Sequence, residues 1–478
     1  MRLWPPALLA CLALVTPLRA EPDAEVQAAI RRAIQSGADG EVLSILADRL
    51  AGGLTLPAPP ADVPATATEA VKVRRDGIQA ALTQLSILSG GNGHLALQLA
   101  QGREREAIHL LAGTARLADL VAADDLLRQK GPIWHLSRPL VVWPGAALVL
   151  FPGEILEMDT AAGAFLLSFG DVTLTGATLR GDAGRNPVSA TFRPFLLISG
   201  QGSFQARDAS FQNLGFPGPV AFRGVAVIAA GLMRAEHPPT IRDSRFDGVL
   251  GLHLEGADGA VLIGNRVTAA GAAAVSIKDA RKLTLAGNRI EDTGAGAGIR
   301  LSGKLEEVAL LANSVRSGDR NGVQIDGTTL GLSLRGNVVS GNAGAGISIG
   351  QAACVAVQGN IIAGNGTAGL RLNRSGLARI ADNAVLGNGS SGIEVAAQAG
   401  LGPVVLTDNL LSGNREGLRA AGLGEVRLDG NDLSDQTPRQ FAGDFAPWLG
   451  PYLSAGHALV IPAAAGALPG AAPLCQTE

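Results

Sequence analysis

Between residues 251 and 420 the chain sets apolar and polar positions in short alternating bursts, and the bursts recur every 23 to 25 residues. Each burst follows a Gly or Ala. Its first aliphatic is Leu252, Val275, Ile299, Val323, Ile347, Leu370, Ile393 or Leu418, and a second apolar residue stands two positions on, from Leu254 to Ala420. Between the two lie His253, Ser276, Arg300, Gln324, Ser348, Arg371, Glu394 and Arg419. A period of two is that of a strand, so the aliphatics point inward and the polar row faces out. A second mark keeps step with the first. It is an Asn, at Asn265, Asn288, Asn313, Asn337, Asn360, Asn383, Asn409 and Asn431, with gaps of 23, 25, 24, 23, 23, 26 and 22 residues. Two marks in step over eight coils predict an all-β body, a right-handed parallel β-helix (solenoid) over 134–435. No single coil buries its apolar face alone; stacking on neighbours does that. The Asn marks are expected at turns, where Asn tolerates left-handed backbone and bonds locally, and their ladder is structural. Steps such as Ser340, Gly341 and Asn342 predict another corner.

Outside the repeats the pattern changes. From 21 to 130 it predicts a small α-helical N-terminal region: Ala24, Val26, Ile30 and Ile34 fit a 3.6-residue period, as do Val71, Ile78, Leu82 and Leu85. A Pro-rich linker near 56–64 divides this region, which carries no catalytic motif and reads as a cap or docking element. The first 20 residues predict a cleaved signal peptide. Arg2 leads an apolar core from Ala7 to Val15, and Leu18, Arg19 and Ala20 offer the cleavage site. A lipoprotein box ending at Cys11 is the less favoured alternative, because it would leave a very short apolar core. The expected location is the periplasm. Residues 454–478, rich in Ala, Gly and Pro, predict a flexible tail.

Composition sharpens the fold more than the function. Hydrophobic residues make up 47% of the chain but aromatics only 4%, and 64 residues are Gly, which suits many short strands and tight corners. The formal net charge of -3 supplies no basic field, so nucleic acid is not an expected partner. No apolar run after the leader reaches membrane-spanning length. After cleavage only Cys354 and Cys475 remain, and whether they pair stays open.

Strands stacked about 4.8 Å apart turn the eight polar positions into a shelf roughly 34 Å long, which suits a linear polymer. Arg300, Arg371 and Arg419 on it, with Lys278 and Lys304 nearby, are candidate partners for the carboxylates of a linear acidic polysaccharide, and Gln324 is a further substrate-binding candidate. Chemistry on a uronate needs a cation for the carboxylate, a base for the C5 proton and an acid to finish. His253, Lys278 and Asp279 are the candidate catalytic residues: His253 as base or acid, Lys278 as base or carboxylate partner. Reprotonation from the opposite face gives an epimerase, and loss of the 4-linked sugar gives a lyase. No cofactor is implied. Metal-dependent lysis is disfavoured, since Asp279 and Asp326 lie two coils apart, about 10 Å on the stacking rise.

Several segments resemble the periplasmic mannuronan C5-epimerases of alginate biosynthesis. They are residues 138–148 (RPLVVWPGAAL), 163–166 with Gly170, 192–196 with Ser210, Phe211, Leu214 and Phe216, and 251–258 ending in Gly264 and Asn265. The resemblance implies a β-helix acting on a uronate polymer, in or beside an envelope polysaccharide export or modification complex. The family's Asp-Pro-His-Asp motif falls on Ser276, Ile277, Lys278 and Asp279, so Asp279 matches and Lys278 stands where the family has its catalytic His. A Ser-Arg pair of the family falls on Ser302 and Gly303, leaving Lys304 or Arg300 to neutralise the carboxylate. A non-catalytic polysaccharide-binding or assembly protein is the alternative reading.

Overall fold

The structure, a computed structural model, describes residues 24–36, 40–58, 60–61, 69–89, 94–103, 105–121, 125–229, 235–398, 400–463 and 475. The segment expected to be a signal peptide, and within the expected tail 464–474 and 476–478, lie outside the described residues.

The body is a parallel β-solenoid. Three strips of strand recur in each coil: Gly251–Glu255, Val261–Ile263 and Arg266–Thr268 form one coil, and the next is Val275–Ala286 followed by Arg289–Glu291. The first two strips run together into a 24-stranded sheet, and the third forms a 13-stranded sheet. Register holds coil after coil, as in Val275↔Ile299, Ile299↔Val323 and Val323↔Ile347. Aliphatics at alternate positions fill the lumen with one continuous apolar column, from Ile108 to Phe445.

The Asn residues do sit at corners, but they are not the left-handed residues. The residue before each one is, as with Gly264 (φ 67), Ala312 (φ 50), Gly359 (φ 63) and Asp408 (φ 54). The Asn that follows turns inward and is 0–3% exposed at all eight positions. Asn360 shows the pattern. Its Nδ2 donates to Leu334 O (2.9 Å) and to Asn383 Oδ1 (2.9 Å), and its Oδ1 accepts from the backbone N and Nδ2 of Asn337, both at 2.9 Å. The ladder thus satisfies buried polar groups between coils, where no water reaches. Asn342, Asn365, Asn388 and Asn414 build a second ladder at the other expected corner.

The solenoid begins earlier than position 134. Glu106–Ala115 is a strand of the long sheet, parallel to Leu140–Val142 and to Ala146–Leu150, and Lys72–Gly77 closes that end in antiparallel pairing. The expected helical region therefore contains strands, because a ten-residue apolar run with little punctuation reads equally as either element. The helices are α1 (Ala24–Gln35), α2 (Gly40–Leu50), α3 (Gln79–Ser89), α4 (His94–Ala100), α5 (Leu117–Val121) and α6 (Leu449–Ser454). None of the described helices is long and apolar enough to cross a membrane.

Two helix pairs clothe different faces. On α1 and α2, Ile30, Leu43, Leu46 and Ala47 pack against Val338, Ile361, Ala384 and Leu410 of the 13-stranded sheet. Gly359 allows the close approach: a Cβ there would stand 2.5 Å from Ala51 Cα. Arg31 adds a 2.7 Å ion pair with Asp432. On α3 and α4, Leu82, Leu85 and Leu97, with Ile78 just before, cover Val141, Leu167, Leu197 and Ala226 on the long sheet, together with a cluster of Phe165, Phe195, Phe216 and Phe222.

The far end is closed by Phe441, Phe445 and Tyr452, whose hydroxyl donates to Asn431 O at 3.0 Å. Ala458–Ile461 then pairs antiparallel with Val426–Asp429, so the start of the predicted flexible tail is a strand. Cys354 and Cys475 form a disulfide that ties the end of the chain to a coil in mid-solenoid.

Candidate functional site

The outward row is continuous in register: His253↔Ser276↔Arg300↔Gln324↔Ser348↔Arg371↔Glu394↔Arg419. Followed toward the N-terminus, the same row becomes Ala226, Leu197, Leu167 and Val141, the residues under α3 and α4. The open shelf thus starts at His253, where the helical and aromatic cover stops. Two residues along each strand a second row on the same face reads Glu255, Lys278, Ser302 and Asp326.

His253, expected on an exposed shelf, is only 4% exposed. It lies on the outer face but at the foot of the wall, in a crevice lined by Val220, Arg223, Ala272 and Ala273. Its Nδ1 is 3.4 Å from Ser276 Oγ and its Nε2 3.5 Å from Glu255 Oε2. A carboxylate only accepts, so the proton belongs on Nε2, leaving Nδ1 to accept from the Ser276 hydroxyl.

Lys278 Nζ closes the cluster, 2.7 Å from Glu255 Oε1 and 3.8 Å from Asp279 Oδ2. The contact from His253, reinforced by the shorter one from Lys278, holds the Glu255 carboxyl at about 2, against burial, which works the other way. In return the carboxylate pushes the Lys278 ammonium above its usual range. Lys278 is therefore a cation at neutral pH. Of the two roles open to it, that state suits a carboxylate partner and opposes a base.

These shifts set a pH window. The lowered carboxyl contributes stability above its ordinary value of 4.5, lost as pH falls toward about 2; the raised ammonium contributes below 10.5, lost as pH rises beyond it. Melting temperatures of the wild type and Glu255→Gln should differ by a constant amount from pH 5 to 9 and converge as pH falls from 4.5 toward 2. A difference that persists at pH 2 would contradict the pairing.

Asp279 is a turn residue. Its φ is 53°, and its Oδ1 accepts from the Lys304 backbone N–H at 2.7 Å. That carboxylate occupies the space a side chain at Gly303 (φ 77) would need. Lys304 is 72% exposed and turns to Glu306, 3.6 Å away.

The remaining shelf cations are not an unbroken positive row. Arg300 stands 3.7 Å from Asp326, which also accepts from Gln324 Nε2 at 2.5 Å. Arg371 pairs with Glu394 at 3.2 Å, and Arg419 with Glu416 at 2.9 Å. The surface alternates in charge. The structure thus brings together His253, Lys278 and Asp279, sets Arg300 and Gln324 one and two coils on, and leaves Arg371 and Arg419 about 19 and 29 Å further along the stack. Sequence reasoning passed over Glu255, the centre of the cluster. Its signal was present: two residues after His253 in a strand is the same face. Among the described residues no three His, Cys, Asp or Glu side chains gather as a metal site.

A model of the right-handed β-helix region matches residues 313–433. A search of curated proteins finds no match. The crystal structure of the periplasmic alginate epimerase AlgG superposes with a TM-score of 0.63 at 17% identity, covering 81% of this chain and 98% of that one. An aspartate-to-alanine mutant of AlgG gives 0.64 with the same identity and coverage. The A-module of the mannuronan C-5 epimerase AlgE4 from Azotobacter vinelandii reaches only 0.29 at 15% identity, over 77% of this chain and 90% of that one. The body of this chain is therefore a right-handed parallel β-helix, similar in fold to that of the periplasmic alginate epimerase AlgG.

Proposed function

We propose that this chain is a periplasmic polysaccharide-binding β-helix protein that lays a linear glycan along the row from His253 to Arg419. The observation that carries this reading is the register: eight positions stacked about 4.8 Å apart on one outer face, open from Ser276 onward and covered at His253. Pairs of Arg and carboxylate along the row present donors and acceptors together, which suits the hydroxyls and acid groups of sugars. The disulfide suits an oxidising compartment, in agreement with the leader pattern at the N-terminus.

Affinity electrophoresis through gels containing polymannuronate, other uronans or a neutral glucan tests it. Replacing Arg300 and Gln324 together with Ala should weaken binding about tenfold, because both present charged or amide donors at mid-shelf. Unretarded migration of the wild type in every gel would remove the reading.

A second reading, proton transfer at C5 of a uronate, is favoured by the meeting of His253 with the Lys278 cation. In it Lys278 neutralises the sugar carboxylate and His253 takes the C5 proton. The resulting carbanion either takes a proton from water on the opposite, open face, giving the epimer, or expels the 4-linked sugar, giving an unsaturated end. Proton NMR of C5 configuration, with absorbance for unsaturated ends, reports turnover. His253→Ala should abolish the turnover while leaving retardation in the gel intact.

A further inference from the structure

At the last coils of the shelf, Arg415, Arg419 and Arg439 surround an open hollow of about 330 Å³, with Ser390, Glu416 and Pro438 completing its wall. The coil stacking builds it: Glu416 pairs in register with Arg439, and the Arg439 N–H donates to Arg415 O at 3.3 Å. Elsewhere on the shelf each Arg has its own carboxylate. Here three guanidinium groups share one, and Arg419 already takes it at 2.9 Å. Arg415 and Arg439 have no carboxylate partner among the described residues. The residues lining the hollow therefore carry two more positive than negative charges, with Glu394 acting on Arg419 from the neighbouring coil, in a chain whose formal net charge is -3. Like charges held close together repel, and a bound anion relieves that repulsion. The hollow is of the size that small ligands occupy, and Arg419 is the last polar residue of the row, its next neighbour being Ala442.

We propose that this hollow is a binding subsite for a carboxylate-bearing sugar, gripped by Arg415 and Arg439, at the end of the glycan track. The proposal rests on the glycan-binding reading above and adds to it the acid group and the place where it is held. Two guanidinium forks match a sugar carboxylate in the way a hydroxyl cannot.

Calorimetric titration of the full mature chain with a uronate trisaccharide, its carboxyl-reduced neutral counterpart and inorganic phosphate tests the assignment. The acidic trisaccharide should bind, the neutral one should not, and Arg415→Ala or Arg439→Ala should each weaken binding about tenfold. Both side chains are exposed, so unchanged melting curves will show that the variants fold. Arg300→Ala, five coils away, should leave trisaccharide affinity unchanged while weakening the long polymer. Equal binding of the neutral sugar, competition by phosphate at equal concentration, or wild-type affinity in both Arg variants would overturn the subsite. A polymer that binds while the trisaccharide does not overturns the subsite and spares the track. If neither binds, both fail.

Discussion

Replacing Asn360 with Ala should lower the unfolding free energy by about 4 kcal/mol. The side chain is fully buried and serves three coils at once. Its loss removes the acceptor for the Asn337 backbone N–H and Nδ2, and the donor for Leu334 O. Each buried polar group left without a partner costs about 1–3 kcal/mol. Ser348→Ala, on the shelf of the same coil, should change stability by less than about 0.5 kcal/mol, because its side chain is partly exposed and joins no ladder. Denaturant unfolding followed by circular dichroism measures both. In a solenoid each coil is stabilised chiefly by its neighbours, so the variant should also broaden the transition as the two halves separate energetically. A loss below about 1 kcal/mol would show that the ladder is not what joins the coils.

Ile30→Asp should detach α1 and α2 from the body. Ile30 is fully buried between these helices and the apolar strip of Val338, Ile361, Ala384 and Leu410. A carboxylate there has no cation to meet it in that cluster, and placing it in an apolar contact costs about 3–5 kcal/mol. The remaining polar ties of Arg31, to Asp432, Ser434 and Asp435, are partly exposed and too weak to hold the pair alone. Hydrogen exchange should show protection lost over 24–50 and retained over 347–358, since the solenoid has its own core. Unchanged exchange in the helices would mean that the packing contributes little. Detachment would bare an apolar strip, and the expected consequence is self-association.

The shelf reading depended on direction alone, and direction was legible. Alternation around Leu252, Val275 and Ile299 fixed which residues point out, because a strand offers only two sides. The corner at Asn342 was visible through its Gly-Asn step, while the ladder of Asn side chains stacked there came only from the structure. What the alternation did not carry was cover. His253 and Arg300 have the same place in their strands, yet one is buried and the other half exposed. The difference comes from the segment of Val220 and Arg223, which folds over His253 from an earlier coil. Charge pairing was hidden likewise. Arg300, Arg371 and Arg419 stand in the sequence as candidate cations, but their carboxylate partners lie in neighbouring coils or at neighbouring positions whose distance no linear spacing states.

Repetition let this sequence determine the solenoid, the coil length, the inward and outward faces and the two buried Asn corners. Each is set within one repeat and its neighbour, where local periodicity and stacking coincide. The tertiary structure alone decided which stretch of the outer face stays open, the pairing of Cys354 with Cys475, and the gathering of Arg415, Arg419 and Arg439. Those depend on segments far apart in sequence meeting at one place, and a local pattern holds no record of such encounters.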